Sequence, residues 1–233
     1  MSDFTFNGVT ASSMGLVIEK YPVRTGGKKH VETVNVPGRF GGLTLRQKRQ
    51  TYENCTISYE VYYHTPGQAS AKAHDIFRWL SEPDGFARLS DTYDPDVFRR
   101  ARYVGDPSAE IFFNNFGRMT ITFECDARSF LTSGETPISR LTGTIQNDYL
   151  EAYPLIVIEK SGNGLVTIAG QQITVYDGPV ETIHIDSESM TVPYLESLYV
   201  SFDDFPTLKP GSNAITGSSN IDSLTITPRW YKV

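Results

Sequence analysis

Three pairs of neighbouring carboxylates are the first residues in this chain whose types and spacing could do chemistry: Asp94/Asp96, Asp203/Asp204 and Asp186/Glu188. Two carboxylates facing each other across a cleft, one protonated and one ionised, are what acid–base cleavage of a glycosidic bond requires. Asp94 and Asp96 flank Pro95, and Asp203 and Asp204 stand close to Pro206, where acids ordinarily serve turns. Asp186 and Glu188 lie two apart on a strand-like segment, so they project to one side, either as a glycosidic pair or as a solvated strand face. The four histidines, His30, His64, His74 and His184, show no ligand spacing with one another. Cys55 and Cys125 are too far apart for a metal-ligand set or a disulfide framework. Each falls on the apolar face of an expected strand, which predicts two buried, reduced thiols. Trp79 and Trp230 are of the type that stacks on sugars. Trp79 lies beside the packing stripe of an expected helix, and Trp230 continues the inward alternation of Leu224 and Ile226, so both read first as core. The chain has no GxSxG, HExxH, P-loop or CxxC motif. The expectation is a protein with no catalytic residues, no cofactor and no metal.

The elements that would position these residues are mostly strands. Met119, Ile121, Phe123, Cys125 and Ala127 alternate with Thr120, Thr122, Glu124 and Asp126, the period of a half-buried strand. Thr51–His64 places Cys55, Ile57, Tyr59, Val61 and Tyr63 on one face in the same way. Asn7-Gly8 favours a tight hairpin turn. Val31–Leu45 reads as a second hairpin with a long, projecting Gly- and Pro-rich loop, PGRFGG. Gln68–Ser81 is the one good helix, with Ala69, Ala73, Ile76, Phe77 and Leu80 on one stripe and Pro83-Asp84-Gly85 as its stop. Phe86–Thr92, Phe98–Gly105 and Ala109–Phe113 complete the strands of a first domain.

Alternation stops at Leu131–Gly134 and Thr136-Pro137, which predicts domains at residues 1–130 and 131–233. In the second, the continuous run Leu155–Ile158 predicts a strand buried on both faces. Leu165–Ala169, Gln172–Tyr176, Glu181–Asp186, Met190–Val192, Leu195–Phe202 and Ile221–Trp230 are its further expected strands. In Glu181–Asp186, Ile183 and Ile185 point inward and His184 outward. Short strands with turns at about 8–12-residue intervals argue for a β-sandwich.

The 233 residues are 39% hydrophobic and 21% charged, a globular composition with a net charge of −6. Residues 1–130 hold 16 Lys/Arg against 15 Asp/Glu; residues 131–233 hold 5 against 12. So acidic a second half argues against a nucleic-acid-binding surface. The basic clusters of the first half (Arg46, Lys48, Arg49; Arg99, Arg100, Arg102) sit among strand residues, where pairing with acids across strands is expected. The N-terminus lacks a signal pattern and no stretch is apolar enough to span a bilayer, so a soluble protein of a reducing cytoplasm, with no membrane partner, is expected.

Phe205–Ile215, FPTLKPGSNAI, is a rigid-turn sequence. Pro206 and Pro210 fix φ, Gly211 allows positive φ, and Asn213 can cap backbone groups. Together with Glu151-Ala152-Tyr153-Pro154 and the closing Ile221–Trp230 strand, it resembles the second domain of phage distal tail proteins. The opening FTFNGVTASSMGLVIE, the Pro-Gly hairpin at Val36–Gly42, the helix ending in Trp79-Leu80 and the FECDARSFL strand resemble that family's ring-forming domain. The resemblance covers nearly the whole chain and rests on the order of these stretches and the overall length. It implies a mainly β fold: an N-terminal β-sandwich-like ring (belt) domain at 1–130 with one α-helix and a projecting hairpin, then a galectin-like C-terminal β-sandwich at 131–233. It also implies a structural virion protein, a homohexameric ring around the DNA channel of a long-tailed phage. Such a ring joins the tail tube protein to tail-tip (tail-associated), baseplate and receptor-binding proteins, without binding nucleic acid directly. Its place is the virion tail, after assembly in the host cytoplasm. The alternative is a host-adhesion module that grips carbohydrate with the second sandwich. Arg39, Phe40 and Gly41, at the tip of the Val36–Leu45 hairpin, are the candidate contact between neighbouring copies, because Arg and aromatic residues are enriched in interface anchors. The other reading of that tip is a solvent-exposed, flexible loop.

Overall fold

The structure, a computed structural model, describes residues 2–35, 37, 38, 40–45 and 51–233. It is mainly β, with curled antiparallel sheets, and divides into two compact units, Met1–Ser129 with Val233, and Phe130–Lys232. None of its helices is long and apolar enough to cross a membrane.

The first unit contains β1 (Phe4–Phe6), β2 (Val9–Thr10), β3 (Val17–Ile18), β4 (Val23–Arg24), β5 (Glu32–Val34), β6 (Leu43–Leu45) and β7 (Cys55–His64), then α1 (Ala69–Ser81). After these come β8 (Ala87–Asp91), β9 (Val97–Tyr103), β10 (Glu110–Phe112) and β11 (Phe116–Leu131), whose last two residues belong to the second unit. The main sheet runs β2-β1-β8-β9-β11-β7-β3, with β4 also on β7 and β10 also on β11. β5 and β6 form a separate two-stranded ribbon.

The spine of the sheet is the antiparallel β7–β11 ladder, in unbroken register from Phe116↔His64 to Cys125↔Cys55. Its odd-numbered residues, including Ile57, Tyr59, Val61, Tyr63, Met119, Ile121 and Phe123, are all buried, as their alternation predicts. Gly117 lies opposite Tyr63 because nothing larger fits: a Cβ there would come within 2.1 Å of the tyrosine ring. Tyr63 uses that space to donate its O–H to the Ala69 carbonyl at 2.9 Å, tying the ladder to the start of α1. Helix α1 covers the sheet with Ala69, Ala73, Ile76, Trp79 and Leu80. Trp79 stacks near Phe4, and its Nε1–H donates to the Phe6 carbonyl at 3.3 Å, so it is core. At the Asn7-Gly8 turn, φ is 49° and 79°, a tight hairpin as expected. Cys55 and Cys125 are both buried and face each other across the ladder. The hydrogen bond between them holds the Cys55 thiol down, to about 7, and raises that of Cys125, which burial raises further.

One buried carboxylate organises the far side of this unit. Asp91 accepts from the Tyr59 hydroxyl at 2.8 Å, from Arg24 Nη2 at 2.7 and 3.0 Å, and from the N–H groups of Tyr93 and Asp94 at 3.0 Å. So many donors offset the desolvation of a buried charge.

The second unit is a two-sheet sandwich. Its strands are β12 (Ile138–Ser139), β13 (Thr142–Asn147), β14 (Leu155–Lys160), β15 (Gly164–Ile168), β16 (Gln171–Val175), β17 (Thr182–Asp186), β18 (Val200–Ser201), β19 (Gly211–Gly217) and β20 (Ile221–Thr227); a last short strand, β21 (Tyr231–Lys232), lies in neither sheet. One sheet runs β12-β20-β14-β17 and the other β13-β19-β15-β16-β18. Ile156, Ile158, Ile183, Ile185, Leu224 and Ile226 of the first sheet share a core with Val166, Ile168, Ile173, Val175 and Ile215 of the second. Trp230 belongs to this core.

Several expectations fail locally. Leu155–Ile158 is not buried on both faces; Ile156 and Ile158 are buried while Leu155 and Val157 are only half-buried. Met190–Val192 is not a strand: residues 187–190 turn, and only Thr191 bridges back to Asp186. Leu195–Phe202 divides into a one-turn helix, α2 (Tyr194–Ser197), and the short β18. Pro193 precedes that helix, and the Glu196 carboxylate bonds back to His184, which the 2-residue period does not register. β12 and β13 fall at residues 138–147, to which the sequence reading assigned no strand. The FPTLKPGSNAI stretch is a turn only in its first half, for β19 begins at Gly211.

Within that stretch Asn213 does the capping its type predicts. Its Oδ1 accepts from Lys209 N–H at 2.9 Å, and its Nδ2 donates to the carbonyls of Lys209 (2.8 Å), Gly211 (3.0 Å) and Ile145 (3.3 Å). Gly211 holds φ at 94°, a conformation a Cβ would strain. Ala152 and Leu208 exchange two backbone bonds at 2.9 Å, and Thr207 Oγ1 donates to Glu151 at 2.7 Å. The two sequence stretches, EAYP and FPTLKPGSN, are thus hydrogen-bonded neighbours. Replacing Asn213 by Ala leaves buried backbone groups without partners, each worth about 1–3 kcal/mol. The expected outcome is a loss of roughly 2–4 kcal/mol, read as a lower denaturant midpoint at unchanged m-value; an unchanged midpoint would show that the turn holds without it.

Candidate interaction surface

Asp186, Glu188 and Asp94 are engaged in the fold. Asp186 receives both guanidinium nitrogens of Arg229, at 2.6 and 3.1 Å, and the N–H of Glu188 at 2.9 Å. Glu188 lies 3.3 Å from the same guanidinium. Burial resists ionisation of Asp186, but Arg229 and the Ser189 and Glu188 N–H groups outweigh it and hold its pKa below the ordinary carboxylate value. Two carboxylates on one arginine make a strut, not an acid–base pair across a cleft. Asp94 accepts from Arg99 at 3.4 Å. Asp203 and Asp204 border an open depression of about 280 Å³ with Gln171 and Gln172. A larger one, about 500 Å³, lies over Glu60, Arg118 and Thr120, where Arg118 is paired with Glu19. His184 is exposed, its Nδ1 3.1 Å from Glu196. Among the described residues, no three His, Cys, Asp or Glu side chains cluster as a metal site would require.

What these units present outward is apolar surface on projecting elements. The β5–β6 ribbon pairs Glu32↔Leu45, Thr33↔Thr44 and Val34↔Leu43, and its base is fastened by Lys28, Lys29 and His30 against residues 51–53. Val34, Leu43 and Leu45 are all exposed. An isolated two-stranded ribbon is marginal in water, so a cover over this one would add stability. At its tip Phe40 is fully exposed and Gly41 has φ 81°. The third residue of the candidate contact, Arg39, lies outside the described residues, as do Arg46, Lys48 and Arg49.

A second projection is the β10–β11 turn, Phe113-Asn114. Both residues have positive φ, 50° and 53°, and Phe113 is 94% exposed. Asn114 caps α1: its Oδ1 accepts from Ser70 N–H at 2.9 Å and its carbonyl from Ala69 N–H at 3.1 Å. Asn115 Oδ1 accepts from Gly67 N–H at 2.8 Å. The sequence reading placed Phe113 at the end of the strand Ala109–Phe113, whereas β10 stops at Phe112 and Phe113 enters the turn. The string Phe-Phe-Asn-Asn-Phe, bulky apolar residues against turn formers, was the available signal. In the second unit, α2 exposes Tyr194 and Leu195, with Leu198 just beyond it.

No protein-family model matches the chain, and no curated protein does. Solved structures do. The protein of phage SPP1 described as Dit (gp 19.1), a paradigm of the hub adsorption apparatus in phages infecting Gram-positive hosts, aligns over 98% of each chain. The TM-score is 0.71 at 11% identity. This chain has the fold of a phage hub protein. The phage P2 baseplate, in its activated conformation with Ca, contains a chain that aligns over 97% of both at TM-score 0.51 and 10% identity. The likeness read from sequence order and the likeness in three dimensions fall on the same kind of protein.

The Asp186 strut has a pH signature. The unfolded aspartate titrates near about 3.9 and the folded one lower, so its contribution is complete above that value and is lost as pH falls through the folded pKa. Asp186→Asn is expected to flatten the fall of the melting temperature between about pH 5 and about pH 2. Parallel slopes for variant and wild type would mean that this pair carries none of the acid sensitivity.

Proposed function

We propose that this chain is a distal tail protein, a structural component of the tail tip of a long-tailed phage, with no catalytic activity. The observation that carries the reading is the fold match to a hub protein along nearly the full length of both chains. In this reading the first unit, residues 1–130, builds a homohexameric ring around the DNA channel. The second, residues 131–233, is a galectin-like sandwich. The ring joins the tail tube to tail-tip, baseplate and receptor-binding proteins, and it assembles in the host cytoplasm before becoming part of the virion.

The physical features agree. A closed ring needs a heterologous contact, which a projecting ribbon against a different surface of the next copy supplies. A conduit for DNA works best without affinity for it, and the net charge of −6 repels phosphate. The saccharide-gripping alternative asks for aromatics on an open sheet face. In the second unit Trp230 is buried, and exposed Tyr176 and Tyr194 stand at a strand end and on α2.

The ribbon tip, Arg39, Phe40 and Gly41, is the proposed contact between neighbouring copies. Native mass spectrometry of the chain, alone and with its tail partners, is expected to give hexamers. Replacing Arg39 and Phe40 together by Ala is expected to lower ring yield severalfold while leaving the monomer's melting temperature unchanged, since an exposed tip contributes little to the fold. Undiminished rings from that variant would move the contact elsewhere; monomers alone, even with partners, would end the ring reading.

A further inference from the structure

Phe113 sits where its side chain costs the isolated chain stability. Its φ of 50° lies in the left-handed region that residues other than Gly, Asn and Asp avoid. Its ring is 94% exposed, so no burial offsets that cost. Nor is the turn loose: Asn114 and Asn115 bond it to residues 67–70 at the start of α1. A strained, solvent-facing aromatic ring therefore stands on a rigid mount, with partly exposed Ile111 and Phe112 behind it. Strain of this kind persists at contact and clamp sites, where a partner compensates for it.

The β5–β6 ribbon has the complementary need. Its Val34, Leu43 and Leu45 are exposed, and no third strand among the described residues joins it. Charge matches as well. At the base of the ribbon Lys28 and Lys29 are exposed, whereas residues 106–113 carry Asp106, Glu110 and no Lys or Arg. Apolar surface bordered by opposite charge is the pattern of two patches that recognise each other.

We infer that Phe113 is a docking knob that seats on the β5–β6 ribbon of a second copy of this chain. Knob and ribbon are different surfaces, so the contact is heterologous, and its repetition builds a ring or a filament. The inference rests on the self-assembly reading above, and it names the surface that the ribbon meets.

The test uses the full chain with photoreactive benzoylphenylalanine at position 113, and a separate Phe113→Gly variant. Illumination of the assembled protein is expected to cross-link position 113 to a peptide within residues 31–45 of another copy. Phe113→Gly is expected to move two readouts in opposite directions. The monomer's melting temperature holds or rises, because glycine is at ease at this φ. Self-association, followed by sedimentation velocity, weakens by about tenfold or more. Assemblies that form with no cross-link from position 113 to the ribbon would overturn the knob and leave the ring reading standing. A Phe113→Gly chain that melts earlier yet associates normally would overturn it too, as Phe113 would then serve the fold. A wild-type chain that stays monomeric throughout, with and without tail partners, removes both readings.

Discussion

The first unit depends on the register of β7 against β11. Side chains along a strand alternate between faces, so a slip of one residue would carry Tyr59, Val61, Ile121 and Phe123 from the core to solvent. The ladder resists such a slip at both ends. At one, Gly117 accepts the ring of Tyr63 where any other residue would collide. At the other, Cys55 meets Cys125, two small side chains closing the apolar stripe. Much of the rest of the unit is tied to this pair of strands. α1 is tied to it through Tyr63, β4 and β8 through Asp91 and Tyr59, and β10 by direct pairing.

The second unit solves the same problem by facing two sheets. Its core is almost wholly aliphatic, isoleucine and valine against leucine, which suits the facing inner surfaces of a sandwich. Polar side chains are kept for the corners. Asn213 satisfies the backbone where the chain enters β19, and Arg229 gathers Asp186 and Glu188 at the edge of β17. The carboxylates that looked most like chemistry are among the most structural residues in the protein.

Much of the fold was legible because period-2 alternation is a direct imprint of half-burial. β7, β11, β17 and β20 follow from it, and α1 follows from its 3–4 spacing. What escaped notice was decided by contacts distant in sequence. α2 owes its place to Pro193 and to Glu196 reaching His184, and no local pattern records that bond. β13 is an edge strand with alternate residues in solvent and little apolar signal to read. The hairpin tip at Phe40 was visible as a Gly-rich loop bearing an aromatic. The tip at Phe113 left only the weaker trace of Phe-Phe-Asn-Asn-Phe, because its significance lies in a backbone angle.

The capping of α1 bears on how the chain is made. Gln68 offers the helix no side-chain cap, and the N–H groups of Ala69 and Ser70 are met by Asn114, more than forty positions downstream. On the ribosome, a nascent polypeptide that has emerged only as far as Ser81 holds the whole helical sequence but not the residue that closes its first turn. The helix frays at that end until β10 and its turn have been synthesised. Completion of this helix therefore waits on translation of a segment that is not itself helical.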